Sequence, residues 1–344
     1  MTLLLTSSPV DASNATSQVY ETQNTTNATY CTLEKPKDWV FTVLPVYVLL
    51  ITVFGIVFNL FVLIVFCFHK KACSAAEIYL SNLAAADLVL VANLPFWAIN
   101  ISNRYNWPFS GPLCKLVNLC ITMNTYCSIY FLVLISSDRY VALVHPLSHN
   151  RMRRPKYAKL GCLLVWGFGL LMSTPVLMYR KVKHDPRYNL TVCFLDFPSP
   201  FVFQLYEGIL TVVIFIIPIT IISWCTFKII QALRNRKNTQ KKEVKATALV
   251  LAVVVAFLIC WVPFHIIRIF EQLSRAGVFM QCRPVIVIET CKQIFIYVAF
   301  FNSVLNPLLY VIVGKHFRQK VKELFTQWSP GETSSSVSTS FKLS

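Results

Sequence analysis

Two chemically distinct groups stand at the ends of one long apolar stretch of the chain. The stretch begins at Cys114, whose thiol suits an oxidising compartment, and ends at Asp138-Arg139-Tyr140, an acid–base pair beside an aromatic ring. As an α-helix, the residues from Cys114 to Arg139 measure about 37 Å, which exceeds a bilayer hydrocarbon core of about 30 Å. One helix can therefore hold the thiol outside a membrane and the charged pair at the inner water boundary, as a signal relay requires.

Further polar side chains lie deep inside apolar runs, and Asp87 is the most costly of them. A buried carboxylate needs a counter-ion or a proton, and no lysine or arginine stands near it within the apolar runs. We therefore predict a cation or water site, with a sodium ion as its candidate occupant and Asp87, Asn124, Ser128 and Asn302 as its members. The alternative is a role in helix packing, which suits Asn59 and Ser303.

The composition places these groups in a membrane protein. Of 344 residues, 56% are hydrophobic and only 14% are charged, whereas a soluble domain carries about 25% charged residues. Several apolar runs exceed the roughly 18 residues that mark a transmembrane helix. The net charge of +17 would suit nucleic acid, but basic cytosolic loops explain it better, so we expect no nucleic-acid partner.

Seven apolar runs predict an all-α seven-transmembrane helix bundle, with spans at residues 41–68, 77–101, 111–143, 157–179, 201–233, 245–273 and 285–313. An extracellular N-terminal arm (1–40) precedes this bundle (41–313). An amphipathic juxtamembrane helix (314–326) and a disordered, Ser/Thr-rich cytoplasmic tail (327–344) follow it. In that helix we expect contact with membrane lipids through Phe317, Val321, Leu324 and Phe325, with the basic residues on the opposite face.

Charge asymmetry predicts the orientation of the bundle. Loops at 69–76, 144–156 and 234–244, with the segment after 314, carry most of the loop lysines and arginines. The positive-inside rule therefore places these loops in the cytosol and the N-terminus outside the plasma membrane. The glycosylation sequons fall on the outer side too, beginning at Asn14, Asn24, Asn27 and Asn189.

Four of the twelve cysteines fall on the outer side: Cys31, Cys114, Cys193 and Cys282. An even number is consistent with two disulfides, and four thiols allow three pairings. We favour Cys114–Cys193, which ties span three to the second outer loop, and Cys31–Cys282, which ties the arm to the last outer loop. We expect no metal site, because no cysteine–histidine cluster has zinc spacing.

Prolines within spans two, four, five, six and seven predict kinks, of which the one at Cys260-Trp261-Val262-Pro263 is the most suggestive. A bulky indole beside a kink can couple a ligand above it to a bend below. Glu243 lies 18 residues before Trp261, five turns down the same face, at the level of Arg139. A Glu243–Arg139 ion pair between spans three and six and a pair of solvated charges remain equally open.

Taken in order, these motifs resemble the rhodopsin-like (class A) G-protein-coupled receptors across all seven spans. They are Asn59, Leu83-Ala84-Ala85-Ala86-Asp87, Asp138-Arg139-Tyr140, Trp166, Pro218, Cys260-Trp261-Val262-Pro263 and Asn306-Pro307-Leu308-Leu309-Tyr310. Within that class, Ala76-Glu77-Ile78-Tyr79-Leu80 and Leu94-Pro95-Phe96-Trp97-Ala98-Ile99 resemble the bradykinin (kinin) receptors. Ile121-Thr122-Met123-Asn124 is similar to the type-2 subtype, because the type-1 subtype carries a lysine at or beside Met123.

The resemblance implies a ligand, a site and partners. Kinins are short peptides with arginine at both ends and a free carboxylate, so Glu271 and Glu289 suit the guanidinium groups and Arg180 the carboxylate. Solvated rim charges are the alternative for the two acids. Residues expected to line the pocket beneath are Trp97, Asn118, Thr122 and Gln293. Expected partners are a heterotrimeric G protein, most simply Gq with phospholipase C and calcium release, and arrestin and receptor kinases at the tail.

The same resemblance implies which residues switch between the inactive and active states: Asp138, Arg139, Tyr140, Glu243, Trp261, Pro263, Asn306, Pro307 and Tyr310. A peptide or chemokine receptor of the same fold with another ligand is the nearer alternative. A secondary transporter is more distant, because Asp87 reads as one lone acid in the spans and no internal repeat is present. No nucleophile–base pair or metal set supports an enzyme.

Overall fold

The structure is a computed structural model that describes residues 19–22, 29–32, 38–69, 73–145, 155–186, 189–235, 241–276 and 282–328. Side chains are described throughout those ranges except at residues 19–22, 29–32, 235, 241–246, 282–286, 289 and 327–328. Seven helices in this part are long and apolar enough to cross a membrane, which confirms the predicted seven-helix bundle.

The helices begin and end within a few residues of the predicted spans. In chain order the elements are β1 (Val19–Thr22), β2 (Thr29–Thr32), α1 (Val40–Phe68), α2 (Ala75–Ser102), α3 (Gly111–Val144), α4 (Pro155–Tyr179), β3 (Arg180–Asp185), β4 (Leu190–Leu195), α5 (Pro200–Leu210), a π-helical segment (Thr211–Ile216), α6 (Ile217–Asn235), α7 (Lys241–Arg275), α8 (Cys282–Ile312) and α9 (Lys315–Trp328). Spans one to four are α1 to α4, and spans six and seven are α7 and α8. Span five comprises α5, the π-helical segment and α6.

Local sequence signals explain where several helices start. Ser74 caps α2, because its Oγ accepts a hydrogen bond from Glu77 N at 3.4 Å while Glu77 Oε2 accepts one from Ser74 N at 2.8 Å. This reciprocal pair satisfies two backbone donors that a helix start leaves open. At α5, Ser199 accepts from Val202 N at 3.3 Å and a proline follows in the first turn, where its missing N–H costs nothing.

The transmembrane prolines do not break their helices. Hydrogen-bonded helix continues through Pro95, Pro175, Pro263 and Pro307. Span five is different, because the wider π-helical segment ends directly before the helix that contains Pro218. Neighbouring helices and local π adjustment can satisfy the backbone groups that a proline frees, so a membrane helix tolerates it.

The outer faces of the spans are apolar and open. Leu163 is 68% exposed, Leu171 67% and Ile259 66%, and similar residues occur on the outward side of most spans. Contiguous apolar surface of this kind is unfavourable in water but matches lipid hydrocarbon. The bundle therefore has the surface of a membrane protein, with a buried apolar cluster and the polar side chains inside.

Hydrogen bonds between spans set the packing near the middle of the bundle. Asn59 Nδ2 on span one donates to the carbonyl oxygen of Ser303 on span seven at 2.9 Å. Trp166 Nε1 on span four donates to Asn82 Oδ1 on span two at 3.0 Å. The structure thus confirms the packing role predicted for Asn59.

A two-stranded hairpin covers the outer end of the bundle. Strands β3 and β4 pair antiparallel with Val182 opposite Cys193, and a disulfide joins Cys193 to Cys114 near the start of span three. This confirms the predicted Cys114–Cys193 pairing. The side chains of Cys31 and Cys282 are outside the described part, so their pairing stays a prediction.

The sequon positions fall in two groups. Asn14, Asn24 and Asn27 lie outside the described residues, whereas β1 and β2 of the same arm form a short antiparallel hairpin. Asn189 lies exposed in the turn between β3 and β4, with a left-handed φ of 49°. Its exposure on the outer hairpin suits a glycan acceptor, and its use as one stays a prediction.

The juxtamembrane helix α9 docks on the bundle through Phe317 of its predicted apolar face and through Lys320, which the prediction placed on the other face. Phe317 is buried, with ring centroids 5.5 Å from Phe66 and 6.0 Å from Phe61. The prediction that all its basic residues occupy the opposite face is wrong at Lys320, which is 3% exposed and lies 2.9 Å from Glu77 Oε1. The predicted lipid contact is also wrong at Phe317 and Leu324, which are 3% and 4% exposed and pack in the bundle core, whereas Phe325 is 60% exposed. The interior side of α9 is consequently mixed, because the bundle offers it a carboxylate as well as rings.

Candidate functional site

Asp87 is the centre of a buried polar cluster between spans two, three and seven. Its side chain is 1% exposed and accepts hydrogen bonds from Asn124 Nδ2 at 3.1 Å, Ser303 Oγ at 2.9 Å and Asn306 Nδ2 at 3.0 Å. Asn124 Nδ2 also donates to Ser128 Oγ at 3.2 Å. No lysine or arginine pairs with Asp87 among the side chains that the structure describes. Neutral donors alone thus stabilise a fully buried carboxylate.

Span seven supplies a different residue to this cluster than predicted. Asn302 is buried, but no hydrogen bond joins it to Asp87 in the described part, and its Oδ1 has no partner there. Ser303 contacts Asp87 instead. Successive helical residues point about 100° apart, so only one of the two faces a given neighbour. The backbone of Ser303 serves packing with Asn59, while its hydroxyl serves Asp87.

At the inner end of span three, the Arg139 guanidinium pairs with its own neighbour. Its Nε donates to Asp138 Oδ2 at 3.0 Å, and the two side chains are 9% and 10% exposed. Tyr140 packs on Trp224 of span five, with ring centroids 4.7 Å apart. Glu243 lies in α7, but its side chain is outside the described part, so its pairing with Arg139 stays a prediction.

Aromatic rings pack around Trp261, two residues before Pro263 in span six. Trp261 is buried, and its ring centroid lies 5.9 Å from that of Phe257 and 6.0 Å from that of His265. His265 in turn stacks on Phe215, in the π-helical segment of span five, at 4.6 Å and 14°. Trp261 is therefore linked to span five through the ring of His265. Farther down span seven, Tyr310 is buried beyond Pro307, with its ring 6.2 Å from Phe317 of α9.

Arg180 and Asn118 meet beneath the outer hairpin. Arg180, the first residue of β3, is 1% exposed, and its Nη2 donates to Asn118 Oδ1 at 2.6 Å. Burial lowers the pKa of the Arg180 guanidinium from its ordinary value, because the charged form loses its hydration. Thr122 lies one turn below and donates to the carbonyl oxygen of Asn118 at 2.9 Å. Three predicted pocket residues are thus contiguous.

Glu271 is not a solvated rim charge, so that alternative is wrong for this residue. It is 4% exposed, and its Oε1 lies 2.9 Å from Arg275 Nη2 on the same helix and 3.3 Å from Lys292 Nζ on span seven. Lys292 is itself 3% exposed. Sequence reasoning missed both partners, although a lysine inside an apolar span signals that a carboxylate is near.

A second buried ion pair, also missed, joins spans five and six. Arg268 pairs with the carboxylate of Glu207, which is 2% exposed. Gln272 Nε2 donates to the Glu207 carbonyl oxygen at 3.2 Å and to Thr211 Oγ1 at 2.8 Å. Reading Asp87 as the lone acid within the spans was therefore wrong. The signal was available, because an ionisable residue inside an apolar run needs a partner.

The remaining predicted pocket residues lie around this outer half. Trp97 is buried and Gln293 is half-buried, whereas the side chain of Glu289 is outside the described part of α8. A small cavity of about 30 Å³ lies between spans three, five and six. It is lined by Thr122, Thr125, Tyr126, Leu210, Thr211, Ile214, Phe264, His265 and Arg268. Thr122 is common to this cavity and to the predicted pocket.

Comparison with known proteins is consistent with this geometry. A family model described as "7 transmembrane receptor (rhodopsin family)" matches residues 58–310. The B2 bradykinin receptor of Homo sapiens is 44% identical over 312 residues, which are 88% of this chain and 80% of that receptor. The B2 bradykinin receptor of Mus musculus is 48% identical over 273 residues, 78% of this chain and 70% of that receptor. The B1 bradykinin receptor of Macaca mulatta is 40% identical over 312 residues, 88% of each chain.

Proposed function

This chain belongs to the rhodopsin family of seven-transmembrane receptors and, within it, to the bradykinin receptors, nearer the B2 than the B1 subtype. From that premise we propose that it is a receptor for a kinin-type peptide. It is a multi-pass protein of the plasma membrane and belongs to a family of receptors rather than enzymes. Binding of the peptide from outside activates a heterotrimeric G protein on the cytosolic side. A chemokine-type or other peptide ligand is the nearer alternative.

The observation that supports a kinin is the presence of opposite buried charges at the outer end of the bundle. Glu271 on span six is 4% exposed and Arg180 on β3 is 1% exposed. A peptide with arginine at each end and a free carboxylate carries the complementary groups, and charge-assisted bonds to such groups are strong when water is excluded. Glu271 and Glu289 bind guanidinium groups, and Arg180 binds the carboxylate. Trp97, Asn118, Thr122 and Gln293 line the remainder of the site.

Signalling proceeds by a shift in population between two arrangements of the spans. The peptide binds better to the arrangement in which span six bends outward near Pro263, and so it favours that state. Trp261, packed between Phe257 and His265, transmits the change. At the inner end, outward movement of span six separates Glu243 from Arg139. Arg139 then leaves Asp138 and faces the G protein, with Tyr140, Asn306, Pro307 and Tyr310 rearranging around it.

A sodium ion fits the Asp87 cluster in the inactive arrangement. Asp87, Asn124, Ser128 and Ser303 offer the carboxylate, amide and hydroxyl oxygens that hard cations prefer. The fit rests on a buried carboxylate that no described lysine or arginine neutralises. The ion would supply the missing positive charge, and these side chains would orient it between spans two, three and seven.

Downstream, we propose coupling to Gq, with phospholipase C activation and calcium release. Phosphorylation of the Ser/Thr-rich tail by receptor kinases, followed by arrestin docking, ends the signal. The residues of that tail lie outside the described part of the chain.

The test is calcium release in cells that express the receptor and receive a kinin with arginine at both ends. The response should disappear in the double variant Glu271→Ala, Glu289→Ala and persist in Asp196→Ala, an outer acid whose side chain is 42% exposed. For Arg139→Ala, peptide binding should survive while calcium release is lost. A kinin response that the double variant retains would remove both acids from the site. Lack of any kinin binding to the unaltered receptor would refute the ligand class.

A further inference from the structure

Lys292 is the unusual charge of the outer bundle. It lies within span seven, is 3% exposed, and its Nζ is 3.3 Å from Glu271 Oε1 on span six. The two side chains are 4% and 6% exposed, so neither charge is solvated. An ammonium group inside a membrane bundle is costly unless a carboxylate pairs with it. Glu271 therefore supplies a counter-charge to Lys292 when no ligand occupies the pocket.

Glu271 is shared unequally between its cations. Both Lys292 and Arg275 lie against Oε1, at 3.3 and 2.9 Å. Oε2 is buried and has no hydrogen-bond partner in the described part of the chain. Arg275 is the outer of the two, 28% exposed, with its guanidinium 4.9 Å above the ring of Phe203 on span five. One carboxylate thus faces two cations and still has an unfilled acceptor oxygen.

An incoming guanidinium changes this balance. A guanidinium can bind both oxygens of a carboxylate in a fork, which a lysine ammonium cannot. It would fill Oε2 and compete with Lys292 for Oε1. Three cations around one carboxylate repel each other, so the ammonium of Lys292 has to move away or weaken the ligand contact.

We propose that Lys292 is a built-in competitor of the ligand, a specificity-determining residue that occupies Glu271 until a peptide guanidinium displaces it. This inference rests on the proposed function, because it assigns one arginine of the kinin to Glu271. The internal ammonium lowers the affinity for a cationic ligand end that binds Glu271. It also favours a guanidinium over a ligand ammonium, since only the forked group gains the oxygen that Lys292 leaves unfilled.

Competition binding of two kinds of peptide to membranes from expressing cells tests the proposal. The first kind is a kinin with arginine at both ends. The second kind comprises two peptides, each with citrulline, a neutral isostere, in place of one of the two arginines. Lys292→Gln and Lys292→Met remove the competing charge and should tighten binding of the arginine peptide about tenfold. Lys292→Arg keeps the charge and should give no gain. The matched control is Lys181→Gln, an outer lysine that is 57% exposed and pairs with Asp196.

The gain should vanish for the citrulline peptide that lacks the arginine facing Glu271, and remain for the other one. Unchanged or weaker binding of the arginine peptide to the neutral variants would overturn the proposal, and weaker binding would assign Lys292 to the ligand carboxylate instead. Equal gains for all peptides would also overturn it. Two neutral variants guard against one that fails to fold, and surface expression is measured for each. If the unaltered receptor bound no kinin, the proposed function would fail first.

Discussion

Replacing Lys320 by methionine should loosen the juxtamembrane helix α9 from the bundle. The Lys320 ammonium lies 2.9 Å from Glu77 Oε1, and the two side chains are 4% and 13% exposed. Its nitrogen also lies 5.8 Å from the centroid of the Phe66 ring. Methionine keeps the apolar stem that packs near Phe66 but removes the charge. The loss is therefore that of the ion pair rather than of packing volume.

The magnitude follows from what Glu77 keeps. Removing one partner of a fully buried ion pair costs about 3–5 kcal/mol, because the other charge stays buried. Glu77 still accepts a hydrogen bond from Ser74 N at 2.8 Å and is partly exposed, which reduces the cost. We expect a loss of about 2 kcal/mol in the free energy of opening of α9, which corresponds to about 30-fold faster exchange.

Hydrogen–deuterium exchange of the segment 315–328 in the purified receptor measures this opening. Lys322→Met is the control, because Lys322 is an exposed lysine on the same helix. Glu77→Gln should give an effect of the same sign. A second tie, His69 Nε2 to Glu323 Oε2 at 2.9 Å, remains in both variants, so α9 should open more often without detaching. Exchange in Lys320→Met that equals the Lys322→Met rate would refute this account of how α9 is held.

Two further predictions concern the interior and the outer lock. Asp87→Asn should abolish the effect of sodium chloride on kinin affinity, because the amide cannot neutralise a cation. Potassium chloride controls for ionic strength, and a sodium effect that persists would place the ion elsewhere. Cys193→Ser should leave Cys114 unpaired and free the outer hairpin from span three. Kinin affinity should fall at least about tenfold, while G-protein coupling through Arg139 stays intact. Unchanged binding would mean that the strand pairing alone positions Arg180.

Features that depend on one segment of the chain were predictable from the sequence. Seven apolar runs of membrane length led directly to seven helices, because hydrocarbon leaves a chain few other ways to satisfy its backbone. Topology reduced the candidates to four outer cysteines with three possible pairings, and the favoured pairing of Cys114 with Cys193 is present in the structure. Asn59 as a packing residue followed the same logic of an amide inside an apolar run. Each of these depends on one segment or on its side of the membrane.

Pairings between spans were much less predictable. Asp87 was recognised, yet the choice of Ser303 over Asn302 depends on the rotation of span seven about its axis. Glu207 was overlooked although it stands inside an apolar run, and its partner Arg268 lies on another helix. Lys320 was assigned to the wrong face, because the carboxylate that attracts it belongs to a distant segment.

The sequence by itself determined that the chain is a membrane bundle, how it is oriented, and which ionisable residues must find partners within it. Helix length and hydropathy depend only on consecutive residues, so they can be read without a fold. Only the tertiary structure decided that Glu271 meets Lys292, that Arg180 meets Asn118, and that both sites are buried. Those contacts depend on which faces of separate elements point at each other, and a carboxylate has the same appearance in a sequence whether water or a lysine neutralises it.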